Sequence, residues 1–180
     1  IILTAATMGG SGLGFNRALL LLTNERTNTL QGMMGVGPTT WEEANRAWSE
    51  ASKKHENLME WIRSGDIFDH RDSAFNALAR TIRVPLEPQQ GVLALTVLEK
   101  TPSRILDASA NPAVPRELND ILKVKSFATV PLIAKDKAIG VVLVDNMFTQ
   151  RPITDRDIRF LTMFANQAAL AVENAVIHSN

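Results

Sequence analysis

The segment FATVPLIAKDKAIGVVLVDN places the strongest constraint on how this chain can fold. Two apolar runs rich in β-branched residues, 125–134 and 138–146, flank the polar triplet Lys135-Asp136-Lys137. That pattern specifies a hairpin across a tight turn. Asp145-Asn146 closes a run that reads as a buried strand. Residues 15–23 form a near-continuous leucine run, which implies burial on both faces, as a central strand requires. Residues 24–28 are polar turn material, and 29–36 read as the antiparallel partner. The chain therefore carries two hairpins.

The helices follow from periodicity and punctuation. Pro38, Thr39 and Thr40 stop the strand, and Thr40 with Glu43 has capping-box spacing. Trp41, Ala44, Trp48, Ala51, His55, Leu58 and Ile62 then fall on one stripe at alternating steps of three and four. This predicts a long amphipathic helix, an insertion over about residues 40–64, ended by Ser64-Gly65. A shorter helix is expected at 73–82, extended chain at Pro85 and Pro88, a short apolar helix at 91–100 and a short strand at 103–107. Pro115 suits the start of a helix through Leu122. Thr154 caps the last helix, about residues 155–178, with Asp155 and Asp157 at its positive end. Residues 1–8 read as the closing turns of another helix, broken by Gly9, Gly10, Gly12 and Gly14. A start at Ile1 rather than methionine reads as a piece of a longer protein. Antiparallel strands with helices between and at the ends indicate the α+β class, in a single domain over 1–180.

Composition narrows the function. Lysine plus arginine and aspartate plus glutamate are 19 each. A nucleic-acid partner is disfavoured, because phosphate neutralisation calls for a basic surplus. There is no cysteine, which removes disulfides, thiolate nucleophiles and cysteine-ligated zinc or iron–sulfur centres. That suits a reducing, cytoplasmic setting. Apolar runs such as 18–22 fall far short of the roughly 20 residues that span a bilayer, so no membrane partner is expected of this segment.

Residues 91–173 carry a family likeness. They read GVLALTVLEKTPSRILDASANP, then the hairpin segment, then a capped helix ending QAALAVENA. The ordered set of short helix, DAS loop, VPL strand, IGVVLVDN strand and terminal helix resembles a GAF domain. Residues 15–36 add the opening hairpin of that family, while 41–62 look like a helical elaboration. The resemblance implies a six-stranded, mostly antiparallel sheet. Its N- and C-terminal helices would pack on one face and a ligand pocket would lie on the other. The implied role is a non-catalytic sensor in signal transduction, binding an unidentified small molecule. Its output domain would be that of a sensor histidine kinase in a two-component system, a diguanylate cyclase or a transcriptional activator. Matching to the family's ligand-contacting strand puts Leu143 on the pocket side, with Val141 and Asp145. Ala18 and Leu20 would join them from the first strand, and Leu93 and Ala94 from the roof. A one-residue slip would invert the strand assignments. Without cysteine, covalent bilin attachment and thiol-based methionine sulfoxide reduction are excluded. The cyclic-nucleotide-binding subset carries N-K followed by F-x-x-x-D-E. Here Met147 follows Asn146, and no such sequence lies downstream.

Other constellations have simpler explanations. His55 sits on an apolar stripe, where packing explains it, and His178 lies in the tail. His70, in a polar loop, is the candidate axial ligand for haem, although a surface histidine is the preferred reading. Asp66, Asp69 and Asp72 lack the alternate spacing and glycine turn of a calcium loop, and capping by Asp72 or Ser73 explains them better. The glycines of GGSGLG precede a strand instead of opening a helix, unlike a phosphate-binding loop. Arg17 can pair with Asp145, meet an anionic ligand, or simply lie exposed at a strand end, the last being preferred. Asp145-Asn146 can meet a ligand or bond the loop main chain as Asx turns do. No nucleophile elbow or zinc-protease pair occurs, so no catalytic residue is expected. In the last helix, Ile158, Leu161, Ala165, Ala168, Val172 and Ala175 repeat at heptad steps, and Phe160, Met163, Phe164 and Leu170 form a second apolar side. A helix apolar on two sides can pack on its own sheet and on a second copy, which implies a parallel homodimer. The competing readings are a structural dimerisation module without ligand and a small enzyme with an unrecognised site.

Overall fold

A computed structural model describes residues 15–37 and 74–179, with side chains through 173. The predicted helices at 1–8 and 40–64, the glycine-rich segment, His55, His70 and the three spaced aspartates lie outside the described residues. Within them, six strands form one sheet in the order β3-β2-β1-β6-β5-β4. The strands are β1 (Arg17–Asn24), β2 (Thr29–Val36), β3 (Arg83–Pro85), β4 (Ser103–Ile105), β5 (Phe127–Ala134) and β6 (Lys137–Asp145). Every neighbouring pair is antiparallel. The helices are α1 (Ala74–Ala79), α2 (Val92–Glu99), α3 (Arg116–Leu122) and α4 (Asp155–Ser179).

Both predicted hairpins form. Lys135 and Asp136 have φ of 52° and 67°, the pair of positive values that a two-residue turn between twisted strands needs. Lys137 is already the first residue of β6. Pro131 sits inside β5, which is tolerable because, among the described residues, β4 pairs only as far as Thr129 and the outer edge is unpaired beyond it. The sixth strand, β3, was visible in the sequence only as extended chain around Pro85.

β1 and β6 lie at the centre and bury side chains on both faces. Alternation therefore divides the core in two. Leu19, Leu21, Val141 and Leu143 pack with Phe75 of α1, Leu93 and Val97 of α2, and Leu118 and Leu122 of α3. Ala18, Val130, Val142 and Val144 pack on the opposite face with Leu161, Ala165 and Ala169 of α4. Each fully buried aliphatic side chain contributes about 1.5–3 kcal/mol relative to exposure.

Local chemistry fixes the helix positions. Thr154 Oγ1 accepts the Asp157 N–H at 3.1 Å, and Asp157 Oδ2 accepts the Thr154 N–H at 3.0 Å. This reciprocal cap starts α4 where the sequence predicts. Gly91, with φ 108°, lets the chain turn into α2 under the Ala113 carbonyl, which accepts the Val92 N–H at 2.6 Å. α1 lies close on β2, and Asn76 Oδ1 accepts the Gly35 N–H at 3.0 Å. A Cβ at Gly32 would stand 1.8 Å from the Ala79 carbonyl oxygen. Gly32→Ala must therefore push α1 off the sheet, and a loss of about 1–3 kcal/mol is expected from urea unfolding. An unchanged midpoint would refute this close approach.

Candidate functional site

Arg17 and Asp145 face each other across the two central strands. Arg17 Nε donates to Asp145 Oδ1 and Oδ2 at 3.2 and 3.0 Å, and Nη2 donates to Oδ2 at 2.8 Å. Nη2 also donates to the Leu122 carbonyl at the end of α3, at 2.6 Å. The guanidinium carbon lies 4.7 Å from the centre of the Phe75 ring on α1. Asp145 Oδ1 accepts the Met147 N–H at 3.0 Å. Both side chains are buried. Burial pushes the Asp145 carboxyl above its ordinary value, opposed by the charge and hydrogen bonds of Arg17 and by the Met147 amide. The sequence favoured an exposed Arg17; the pairing overturns that, because Asp145 and the Leu122 carbonyl compensate the buried cation.

The neighbouring asparagines bind the loop that leads to α4. Asn146 Oδ1 accepts the Asn16 N–H at 3.2 Å, and its Nδ2 donates to the Arg151 carbonyl at 3.0 Å. Asn16 Oδ1 accepts the N–H groups of Phe148 and Thr149, both at 2.9 Å. The polar groups of Asp145 and Asn146 thus bond the loop main chain and the start of β1. On the same face as Arg17, the buried hydroxyls of Thr96 and Thr129 lie 2.7 Å apart and tie α2 to β5.

A cavity of about 320 Å³ lies between the outer edge of β3, the start of α2, and α3. Ile82, Val84, Leu93, Pro115, Leu118 and Ile121 form its apolar wall. Thr81, Arg83, Gln90 and Glu117 supply polar groups. Its volume is near the lower end of the roughly 300–1,000 Å³ of small-molecule sites, and its composition is of the same kind.

Of the seven residues expected to bind ligand, Leu93 lines this cavity. Val141 and Leu143 are buried on the same face of the sheet, in the core beneath α2 and α3. Asp145 is held by Arg17, and Ala94 is buried within α2. Ala18 and Leu20 are on the other face. They pair with Val144 and Val142 and pack in the core that contains α4. Leu19 and Leu21 take the expected places. A strand apolar on both faces carries no alternation to fix its phase. The wall from β3 and α3 was missed altogether. A usable signal was the spacing of Leu118, Ile121 and Leu122 on α3, an apolar side beside Glu117.

The family model described as GAF domain matches residues 3–172. The chain belongs to the GAF family. No match is found among curated proteins. Among solved structures, a methyl-accepting chemotaxis protein fragment is 21% identical with a TM-score of 0.60, over 95% of this chain and 85% of its own. The GAF-B domain of DevS from Mycobacterium smegmatis is 17% identical with a TM-score of 0.60, over 99% and 92%. A free methionine-R-sulfoxide reductase from Neisseria meningitidis, solved with its substrate, is 16% identical with a TM-score of 0.53, over 90% and 71%. At these identities the likeness is one of fold.

Asp145→Ala leaves the Arg17 charge buried without its partner, and a loss of about 3–5 kcal/mol is expected from denaturant unfolding. The double substitution Arg17→Met with Asp145→Leu removes both charges and should recover most of that loss. A double variant no more stable than the single one would contradict the pairing energetics.

Proposed function

We propose that this GAF domain is a sensory module that binds a small organic molecule between β3, α2 and α3 and signals through α4. The observation that carries the reading is the cavity of about 320 Å³, with an apolar wall and a few polar groups, on the sheet face opposite α4. α3 forms one wall of that cavity and ends at the Leu122 carbonyl. Arg17 joins that carbonyl to Asp145, and Asp145 joins the loop that enters α4. A ligand that prefers one position of α3 can therefore bias the start of α4, provided it binds the two arrangements with different affinity. The output would be a domain outside this segment, such as a histidine kinase, in a cytoplasmic setting. No helix among the described residues is long and apolar enough to cross a membrane.

A second copy of the chain is the proposed partner of α4. Leu161, Ala165 and Ala169 pack on the sheet, whereas Phe160, Met163 and Leu170 are 44%, 61% and 49% exposed. Their spacing puts them on one helical side, suited to pairing with the same side of another α4. This stripe also favours the alternative of a dimerisation module that needs no ligand.

Two measurements separate the readings. A screen of metabolites by thermal unfolding should find compounds that raise the melting temperature by mass action, and Ile121→Trp, which fills the cavity, should abolish the rise. No stabilising compound, with dimer retained, would favour the dimerisation module. In sedimentation experiments, Phe160→Glu with Met163→Glu should convert dimer to monomer without loss of helical content. A monomeric parent protein would contradict the α4 pairing.

A further inference from the structure

We propose that the ligand of this cavity is a free short peptide, bound in extended form along the outer edge of β3, with an acidic residue between two aliphatic ones. The proposal rests on the cavity being the sensory site.

β3 is the end strand of the sheet, and among the described residues no strand pairs with its outer edge. The ladder on its inner side fixes which main-chain groups point outward. The Gly32 N–H donates to the Ile82 carbonyl, and the Leu86 N–H donates to the Asn28 carbonyl. Residues 82, 84 and 86 therefore bond toward β2, and the N–H and carbonyl of Arg83 point to the open edge. Side chains alternate between the two faces. Ile82, Val84 and Leu86 pack toward α2 and α3, so Arg83 and Pro85 turn theirs to the opposite face. Yet residues 81–84 line the cavity in succession. Arg83 thus reaches it through its main chain, and the cavity opens on the unpaired edge of the strand.

The chemistry of that edge selects the ligand. The N–H and carbonyl of one edge residue are matched by the carbonyl and N–H of one residue in an added strand. A tripeptide is the smallest free peptide with a peptide group on each side of its central α-carbon. Pro85 offers the edge a carbonyl and no N–H, which keeps such an added ladder short. A cavity of about 320 Å³ likewise suits a few residues rather than a folded partner.

Residues that face each other across a ladder share a sheet face, which sets the sequence of the peptide. The residues before and after the central one lie opposite Ile82 and Val84, on the cavity face. There they meet the aliphatic wall that Leu93, Leu118 and Ile121 complete. The central residue lies opposite Arg83 and shares its face. The exposed Arg83 guanidinium is held beside the strand by Nη1, which donates to the Arg80 and Ile82 carbonyls at 3.0 and 2.8 Å. It suits a carboxylate on that central residue.

The test is titration calorimetry of the intact chain with leucyl-glutamyl-leucine and valyl-aspartyl-valine. Binding is expected, and Ile121→Trp should abolish it. N-methylation of the central residue removes the donor that meets the Arg83 carbonyl and should weaken binding at least about tenfold. N-methylation of the last residue, whose N–H points away from β3, should leave binding unchanged. Arg83→Pro removes the outward N–H without touching the ladder to β2, and should also cost at least about tenfold. Arg83→Ala keeps that N–H, so it should cost only about threefold and erase the preference for an acidic central residue. Equal effects of the two N-methyl groups would overturn the proposal, and they are read on the parent chain even if Arg83→Pro fails to fold. If the same sequence within a longer unstructured polypeptide binds more tightly than the tripeptide, the occupant is a protein segment and the free peptide falls. If only metabolites other than peptides bind, and Ile121→Trp abolishes that binding, the sensory reading stands and the peptide falls. If neither class binds, both fall.

Discussion

The contact between Arg17 and Asp145 organises the rest of the molecule. It sits where β1 begins and β6 ends, so it closes the central strand pair at one end. It also fixes phase. With Arg17 and Asp145 on one face, Leu19, Leu21, Leu143 and Val141 must lie on that face as well, because strand side chains repeat every second residue. A slip of one residue would bring an arginine against the α4 core and expose half the leucines to the wrong partners. The guanidinium does more than neutralise one carboxylate. It reaches α3 through the Leu122 carbonyl and α1 through the face of Phe75, so four elements meet at one buried cation.

From that contact the two faces acquire different characters. Among the described residues, one face is covered by the short helices α1, α2 and α3, tied down through Asn76 for α1, Thr96 and the Ala113 carbonyl for α2, and Arg17 and Asn119 for α3. Short helices that meet an edge strand of three residues leave space between them, and the cavity forms there. Among the described residues, the other face is covered by α4, whose alanines allow close packing on the sheet. The turn between β6 and α4 lies beside Arg17, Asn16 and Asn146. Hydrogen bonds from α3 through Arg17 and Asp145 to that turn therefore link the two faces at the end of the sheet that the ion pair closes. In the proposed sensory role, that connection would join the site to the exit through α4.

Much of this was legible in the sequence because the relevant patterns are local. The turn at Lys135-Asp136, the cap at Thr154 and the proline before α3 each act within a few residues, and the structure has them where the sequence puts them. The antiparallel six-stranded sheet was likewise foreseen through the family likeness. The phase of β1 was misread because 18–22 is apolar throughout and offers no alternation. The corrective was present: if Arg17 pairs with Asp145, then Leu19 and Leu21 share its face, not Ala18 and Leu20. β3 was read only as extended chain because three residues around a proline carry no strand periodicity. The cavity wall from β3 and α3 depends on segments far apart in sequence, and no local pattern brings Ile82 to Ile121.

The proposed sensory role requires a small molecule to occupy the space between β3, α2 and α3. Amide hydrogen exchange across the intact chain, with and without the compound that most raises its melting temperature, tests this most directly. Protection should appear at residues 81–93 and 115–122, with a smaller change at 146–158 where the connection to α4 runs. Protection confined to α4, or none in the β3 and α3 segments, would contradict it.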